Sequence, residues 1–326
     1  MSFDLESCER SSSSCSIDDK LPSTNNLIRG KDGQYAVGHK LAQGRYGAVF
    51  EVLRKSDGKA FACKLEICSA NSHGLDMDYI VMNQAVKKGC NHLVRMIDRG
   101  KIEDHFKFLI MPLLGDNLTK IRHQFVDGRL SLSSGLRLSF LALSPIQELH
   151  NIGFVHRDIK ANYFQHYFLY STSIAMCLID LIYLVLQFLP RSSYKPREPA
   201  AGAYRLRSLS ILQRQKRKSE GPQRAAIFFR GTVRYASLSA HNGEEQSPRD
   251  DLESWFYMMV ELLSGFLPWS DFHHDSINEV EFRRLQKYLD GLKFNSQPDY
   301  TFIAEMVQLA MKNNGVKKDE PFDWEE

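Results

Sequence analysis

The 326-residue chain has six cysteines, and no two of them form a CxxC pair. That spacing offers neither a zinc knuckle nor a disulfide framework, so the thiols are expected to be reduced and the protein intracellular, in cytoplasm or nucleus. Met1 is followed by no basic stretch and no apolar run, which predicts no secretory leader. No internal repeat is visible. A single long apolar run occurs, Ile174 to Pro190. It falls slightly short of the roughly 20 residues that a bilayer span needs and contains Asp180, so a buried strand or helix is expected there. Excess charge of one sign is lacking too: 42 Lys and Arg against 39 Asp and Glu leave +3, which calls for neither a membrane nor a specific nucleic acid as partner.

What is present is ordinary for a globular protein: 43% hydrophobic and 25% charged residues, on a chain long enough for one large domain or two lobes. Residues 1–30 are rich in serine, with Ser11 to Ser14 unbroken, and poor in apolar side chains, which predicts a disordered tail. Across residues 31–111, strand-like runs dominate: Val37 to Leu41, Ala48 to Leu53, Lys59 to Leu65, Leu93 to Arg99 and Phe106 to Met111. One helical stretch, Leu75 to Lys88, falls among them. Residues 112–326 read as mainly helical, over Asn117 to Phe125, Leu132 to Asn151, Asp251 to Ser264, Ile277 to Leu292 and Asp299 to Asn313. A hinge near 112–116 would join the two lobes and leave a ligand cleft between them. A basic insertion at about 181–228 interrupts this order. Residues 191–230 hold 11 Lys or Arg against 2 Glu, so the rest of the chain nets −6. With three prolines and few large apolar residues, that stretch reads as a solvated mobile loop in preference to a defined polyanion-binding surface.

The chemistry-bearing residues centre on His156-Arg157-Asp158-Ile159-Lys160. A loop of this kind supplies a carboxylate that accepts a substrate hydroxyl's proton and a lysine that steadies a migrating phosphate. Upstream, Gly44 and Gly47 sit in the turn between the first two strands, where missing side chains would let backbone amides approach phosphate oxygens. Ala42 holds the place where such loops have a first glycine. Lys64 lies on the third strand, 17 residues after Gly47, and needs an acidic partner on the following helix. Asp78 matches that position, with Asp76 a poorer fit, and a surface role for Asp78 remains equally open. A metal-binding Asn is expected five residues after Asp158, where Tyr163 stands; Asn162 lies one residue early. The second metal ligand is expected at Asp180, far enough from Asp158 for an intervening hairpin. Ile182 stands where a glycine would follow it, and cannot copy a glycine's backbone freedom.

Downstream come Phe229-Arg230-Gly231-Thr232-Val233-Arg234-Tyr235-Ala236-Ser237, Arg249-Asp250-Asp251-Leu252-Glu253-Ser254-Trp255, Leu267-Pro268-Trp269 and Asp319-Glu320-Pro321-Phe322-Asp323-Trp324-Glu325. With these, the chain from about Tyr35 to Glu326 resembles eukaryotic protein kinases of the casein kinase I superfamily, most of all the tau-tubulin kinase-like members. The resemblance implies an α+β bilobal kinase fold, ATP and Mg²⁺ as cofactors, and protein substrates that are acidic or already phosphorylated. It implies that Leu41, Gly44, Gly47, Val49, Ala62, Lys64, Asp78, Met111 and Leu114 hold the nucleotide, with Met111 as gatekeeper. Asp158, Lys160 and Asn162 would be catalytic, Asp180 and Asn162 metal-binding, and Arg230 and Arg234 substrate-binding. Asp251 would anchor the catalytic loop from a buried helix. The function implied is a Ser/Thr protein kinase; the alternative is a catalytically impaired pseudokinase acting as a binding scaffold.

Overall fold

A computed structural model describes residues 20–69, 74–169, 173–178, 185–186, 229, 231–267 and 280–325. The amino-terminal lobe is a six-stranded antiparallel sheet. Its strands are β1 (Leu27–Arg29), β2 (Gln34–Gln43), β3 (Gly47–Arg54), β4 (Ala60–Ile67), β5 (Asp98–Ile102) and β6 (Phe106–Pro112), in spatial order β1-β2-β3-β4-β6-β5. Period-two alternation sorts the side chains of the central strands onto two faces. On β4, Phe61, Cys63, Leu65 and Ile67 join Phe106, Phe108 and Ile110 of β6 in a core on one face. Ala62, with Leu109 and Met111 of β6, faces the other way, into the core shared with helix α1 (Gly74–Lys87) and the rest of the chain. Lys64 has the parity of Ala62, and its position in the sheet is set by that alternation alone.

The carboxy-terminal lobe packs around α3 (Leu132–Asn151), whose first turn is capped by the Ser131 side chain accepting from Ser134 N. Ahead of it comes the short α2 (Leu118–Arg122). After α3, strand β7 (Phe154–Val155) leads into the hairpin β8 (Phe164–Leu169) and β9 (Ser173–Leu178), and β10 (Val185–Leu186) pairs back onto β7. Next come α4 (Leu238–His241), α5 (Pro248–Ser264), α6 (Val280–Asp290) and α7 (Tyr300–Asn313). A capping box of Ser247 and Asp250 with Pro248 in the first turn starts α5. Trp255 of that helix is fully buried and donates from Nε1 to Ser139 O of α3 at 3.0 Å. The chain's last described segment straps onto the start of α3. Asp323 accepts from Ser131 N at 2.7 Å and from the Ser131 and Ser134 hydroxyls at 2.5 and 2.7 Å. Beside it, buried Phe322 stacks under the Arg137 guanidinium at 3.8 Å.

Several expectations need correction. Within the stretch 1–30 read as a disordered tail, Leu27–Arg29 is a strand, and Leu21 and Ile28 are buried, because they complete the sheet's core. Residues 1–19 lie outside the described residues. The expected strand over 93–99 is shifted to Asp98–Ile102: Leu93 and Val94 are apolar because they fill the core from an irregular segment. The helix expected over 117–125 ends at Arg122. The apolar run from Ile174 begins in β9, as a strand, and no described helix is long and apolar enough to cross a membrane. The basic insertion lies outside the described residues apart from Val185–Leu186.

Candidate nucleotide and catalytic site

Lys64 and Asp78 meet. Lys64 Nζ lies 2.9 Å from Asp78 Oδ2, with the carboxylate side chain 1% exposed and the lysine 15%. Asp78 belongs to the buried stripe of α1, together with Leu75, Val81, Met82 and Ala85, so the helical period aims it at β4. A second pair fixes the start of that helix: Glu66 accepts from Leu75 N at 2.9 Å and pairs with Lys107 Nζ at 2.8 Å. Asp76, the poorer candidate, binds Lys107 at 2.7 Å.

The remaining nucleotide candidates lie on β2, β3, β4 and β6 or just beyond their ends. Val49 is the direct cross-strand partner of Lys64, and Ala62 is the partner of Met111, both of these last being buried. Leu41 is exposed on β2, and Leu114 is half-buried just past the end of β6. Gly44 N donates to Gly47 O at 2.9 Å and closes the β2–β3 turn. A Cβ at Gly47 would fall 1.8 Å from Leu65 O, so the close approach of β3 to β4 admits no side chain there. At Gly44, by contrast, nothing but Gly47 O at 3.9 Å lies near the missing side chain. The turn therefore offers open backbone at Gly44, which suits a polyphosphate.

Asp158 is 5% exposed and is held on both oxygens. Thr232 N donates to Oδ1 at 2.7 Å, Lys160 Nζ lies 3.0 Å from Oδ2, and the Tyr163 hydroxyl donates to Oδ2 at 2.8 Å. Lys160 also donates to Thr232 Oγ1 at 2.7 Å, so carboxylate, ammonium and hydroxyl form one polar triangle. Sequence alone gives no role to Thr232 or Tyr163, although Thr232 lies within the Phe229–Ser237 motif.

The loop carrying Asp158 is anchored from α5. Asp251, 1% exposed, accepts from His156 N at 2.6 Å and Arg157 N at 2.7 Å, and pairs with His150 Nε2 at 2.8 Å. Burial works to raise the Asp251 carboxyl, but the His150 ring and the His156 amide prevail and hold it below its ordinary value. Arg157 has φ +70, a left-handed conformation that costs a non-glycine residue about 1–2 kcal/mol and persists because the clamped amides dictate it. Arg234 is 40% exposed along its side chain and lies 3.2 Å from Glu261, a fully buried carboxylate that Arg122 approaches to 3.1 Å. Tyr235 donates its hydroxyl to the same carboxylate, and its own pKa is pushed far up, by burial first and by this bond second.

Asn162 is exposed on a 3-10 turn spanning Ala161–Tyr163. Asp180 and Arg230 lie outside the described residues, as does Ile182. Among the described residues, no cluster of three or more His, Cys, Asp or Glu side chains forms a metal site.

No family model matches the chain. A probable serine/threonine-protein kinase of Dictyostelium discoideum is 28% identical over 309 residues, covering 90% of this chain and 57% of that protein. Casein kinase I homolog 2 of Schizosaccharomyces pombe is 27% identical, covering 89% of this chain and 65% of that protein. The chain thus spans less than two thirds of either relative's length. Among solved structures, that of vaccinia related kinase 3 superposes with a TM-score of 0.69 at 17% identity, over 92% of this chain and 95% of that one.

Proposed function

Because this chain has the protein kinase fold and serine/threonine-protein kinases as relatives, we propose that it transfers the γ-phosphate of ATP to serine or threonine hydroxyls of proteins. The observation that carries this reading is the 2.9 Å Lys64–Asp78 pair, with Lys64 across the sheet from Val49, two residues beyond Gly47 of the glycine turn. It is the device that holds a lysine against nucleotide phosphates in this class of enzyme. Asp158 accepts the hydroxyl's proton, and Lys160 steadies charge on the transferred group. Mg²⁺, when bound with the nucleotide, neutralises phosphate charge, with Asp180 and Asn162 as its candidate holders. Catalysis comes from positioning and fixed charge around the phosphoryl group. Acidic or already phosphorylated substrates remain our reading of the preference. Arg230 is the stronger candidate for recognising them, since Arg234 is committed to Glu261. Cys63, Cys68 and Cys90 are free thiols, which fits an intracellular location.

The test is the purified chain with Mg-ATP and an acidic peptide, read against an Asp158→Asn blank. Turnover above the blank supports the reading, and equality removes it. A Lys64→Met chain is expected to bind ATP about tenfold more weakly, about 1.4 kcal/mol. Thermal shift across an ATP titration would show this, and an unchanged midpoint concentration would disconnect Lys64 from the nucleotide.

A scaffold reading has its own support: Tyr163 holds the place where a metal-binding amide is expected, and its hydroxyl donates to Asp158 Oδ2 at 2.8 Å. Stabilisation by ATP that is independent of Mg²⁺, with no phosphate transferred, would favour it.

A further inference from the structure

Tyr163 stands out because the catalytic loop is one residue shorter than its motif requires, and the fold has put a phenol where an amide was expected. Its hydroxyl donates to Asp158 Oδ2 at 2.8 Å. The ring is held in turn: the His156 ring packs against it with centroids 5.4 Å apart, and Lys160 Nζ lies 4.5 Å from its centroid. His156 is itself fully buried and accepts from Asp158 N through Nδ1 at 3.2 Å, so the phenol and the carboxylate rest on one rigid support.

A carboxylate offers about two acceptor directions on each oxygen. On Oδ2, both are taken, by the Tyr163 hydroxyl and the Lys160 ammonium. On Oδ1, Thr232 N takes one. Among the described residues, the open direction is on Oδ1, and the neighbouring residue there is Gly231, whose φ is +108. A Cβ built on Gly231 would sit 3.6 Å from Oδ1 and 2.6 Å from Arg157 O, so its lack of a side chain leaves that side of the oxygen clear.

We propose that Tyr163 is a positioning residue: its hydroxyl pins Oδ2 of Asp158 so that the carboxylate presents Oδ1, beside Gly231, to the substrate hydroxyl. As the substrate oxygen bonds to the γ-phosphorus of ATP, the bond from that phosphorus to the β–γ bridging oxygen breaks and ADP leaves, while the proton of the substrate hydroxyl passes to Oδ1. Lys160 remains a donor to Oδ2 throughout. The proposal rests on the kinase reading above and adds to it the atom that acts and the residue that aims it.

Tyr163→Phe keeps the ring and deletes only the hydroxyl. With Mg-ATP and an acidic peptide, kcat is expected to fall about tenfold, while the KM for ATP and for peptide stays within about twofold. A merely structural role would move KM or expression and leave kcat alone. Separately, a double-mutant cycle of Tyr163→Phe and Asp158→Ala, read by chemical denaturation, is expected to be non-additive. An active wild type with an unchanged or raised kcat in Tyr163→Phe overturns the proposal, and so does an additive cycle. A wild type no faster than Asp158→Asn instead removes the kinase reading, and the cycle then still decides whether phenol and carboxylate are coupled.

Discussion

An Asp158→Asn chain is expected to transfer phosphate about 10³-fold more slowly than wild type, the middle of the range for loss of a general base. The substitution is nearly isosteric, and the amide oxygen can still accept from Thr232 N, whose bond to Oδ1 is 2.7 Å. It cannot take up a proton, however, and it puts a neutral group beside Lys160, which now pairs at 3.0 Å. Nucleotide affinity should hold, because Lys64 is held by its own 2.9 Å pair with Asp78, on elements of the other lobe. Single-turnover kinetics at saturating Mg-ATP separate the two effects. A loss smaller than about tenfold would assign proton acceptance to another group.

An Asp251→Ala chain is expected to lose about 3–5 kcal/mol of folding stability, the cost typical of stripping one partner from a buried charged network. Two buried amides, of His156 and Arg157, lose their acceptor at once, at 2.6 and 2.7 Å. Arg157 also loses what held it at φ +70. Asp251→Asn should recover part of the loss, since an amide oxygen still accepts one N–H, while the His150 pair goes. Denaturant titration of the three chains measures this, and a cost under about 1 kcal/mol for the alanine would mean the loop holds itself. The acid response follows the same carboxylate. Its folded pKa lies below the ordinary one, so the unfolded chain binds its proton first on acidification. The stabilisation is therefore complete above the unfolded value, about 3.9, and drains as pH falls through the lower folded one.

Much of this site could be read in the residues before any coordinates. The order of motifs placed Lys64, Asp158 and the anchoring Asp251, and α3 falls on the expected limits of 132 and 151 because Ser131 caps its start and Gly153, at φ +89, follows its end. Asp78 was left open between two roles, yet the spacing Leu75, Asp78, Val81, Met82, Ala85 already put it on the apolar stripe of its helix. The failures have a common origin. Apolar content reports burial, and Leu93 and Val94 are buried without being a strand. The aromatic ring at 163 gave no hint of a bond to Asp158, since that depends on a loop shortened by one residue turning as a 3-10 helix. The ion pair of Arg234 with Glu261 was equally out of view, since it is set by α5, a separate part of the chain.

The clasp between Asp323 and the start of α3 has a topological consequence. Helix α3 is gripped at its front by the final turn of the chain and at its rear, through His150, by Asp251. Both grips come from beyond residue 230, so the parts of the chain before and after 191–228 are held together without covalent help. A protease that nicks that stretch is expected to leave two fragments that co-elute as one particle and part only in denaturant.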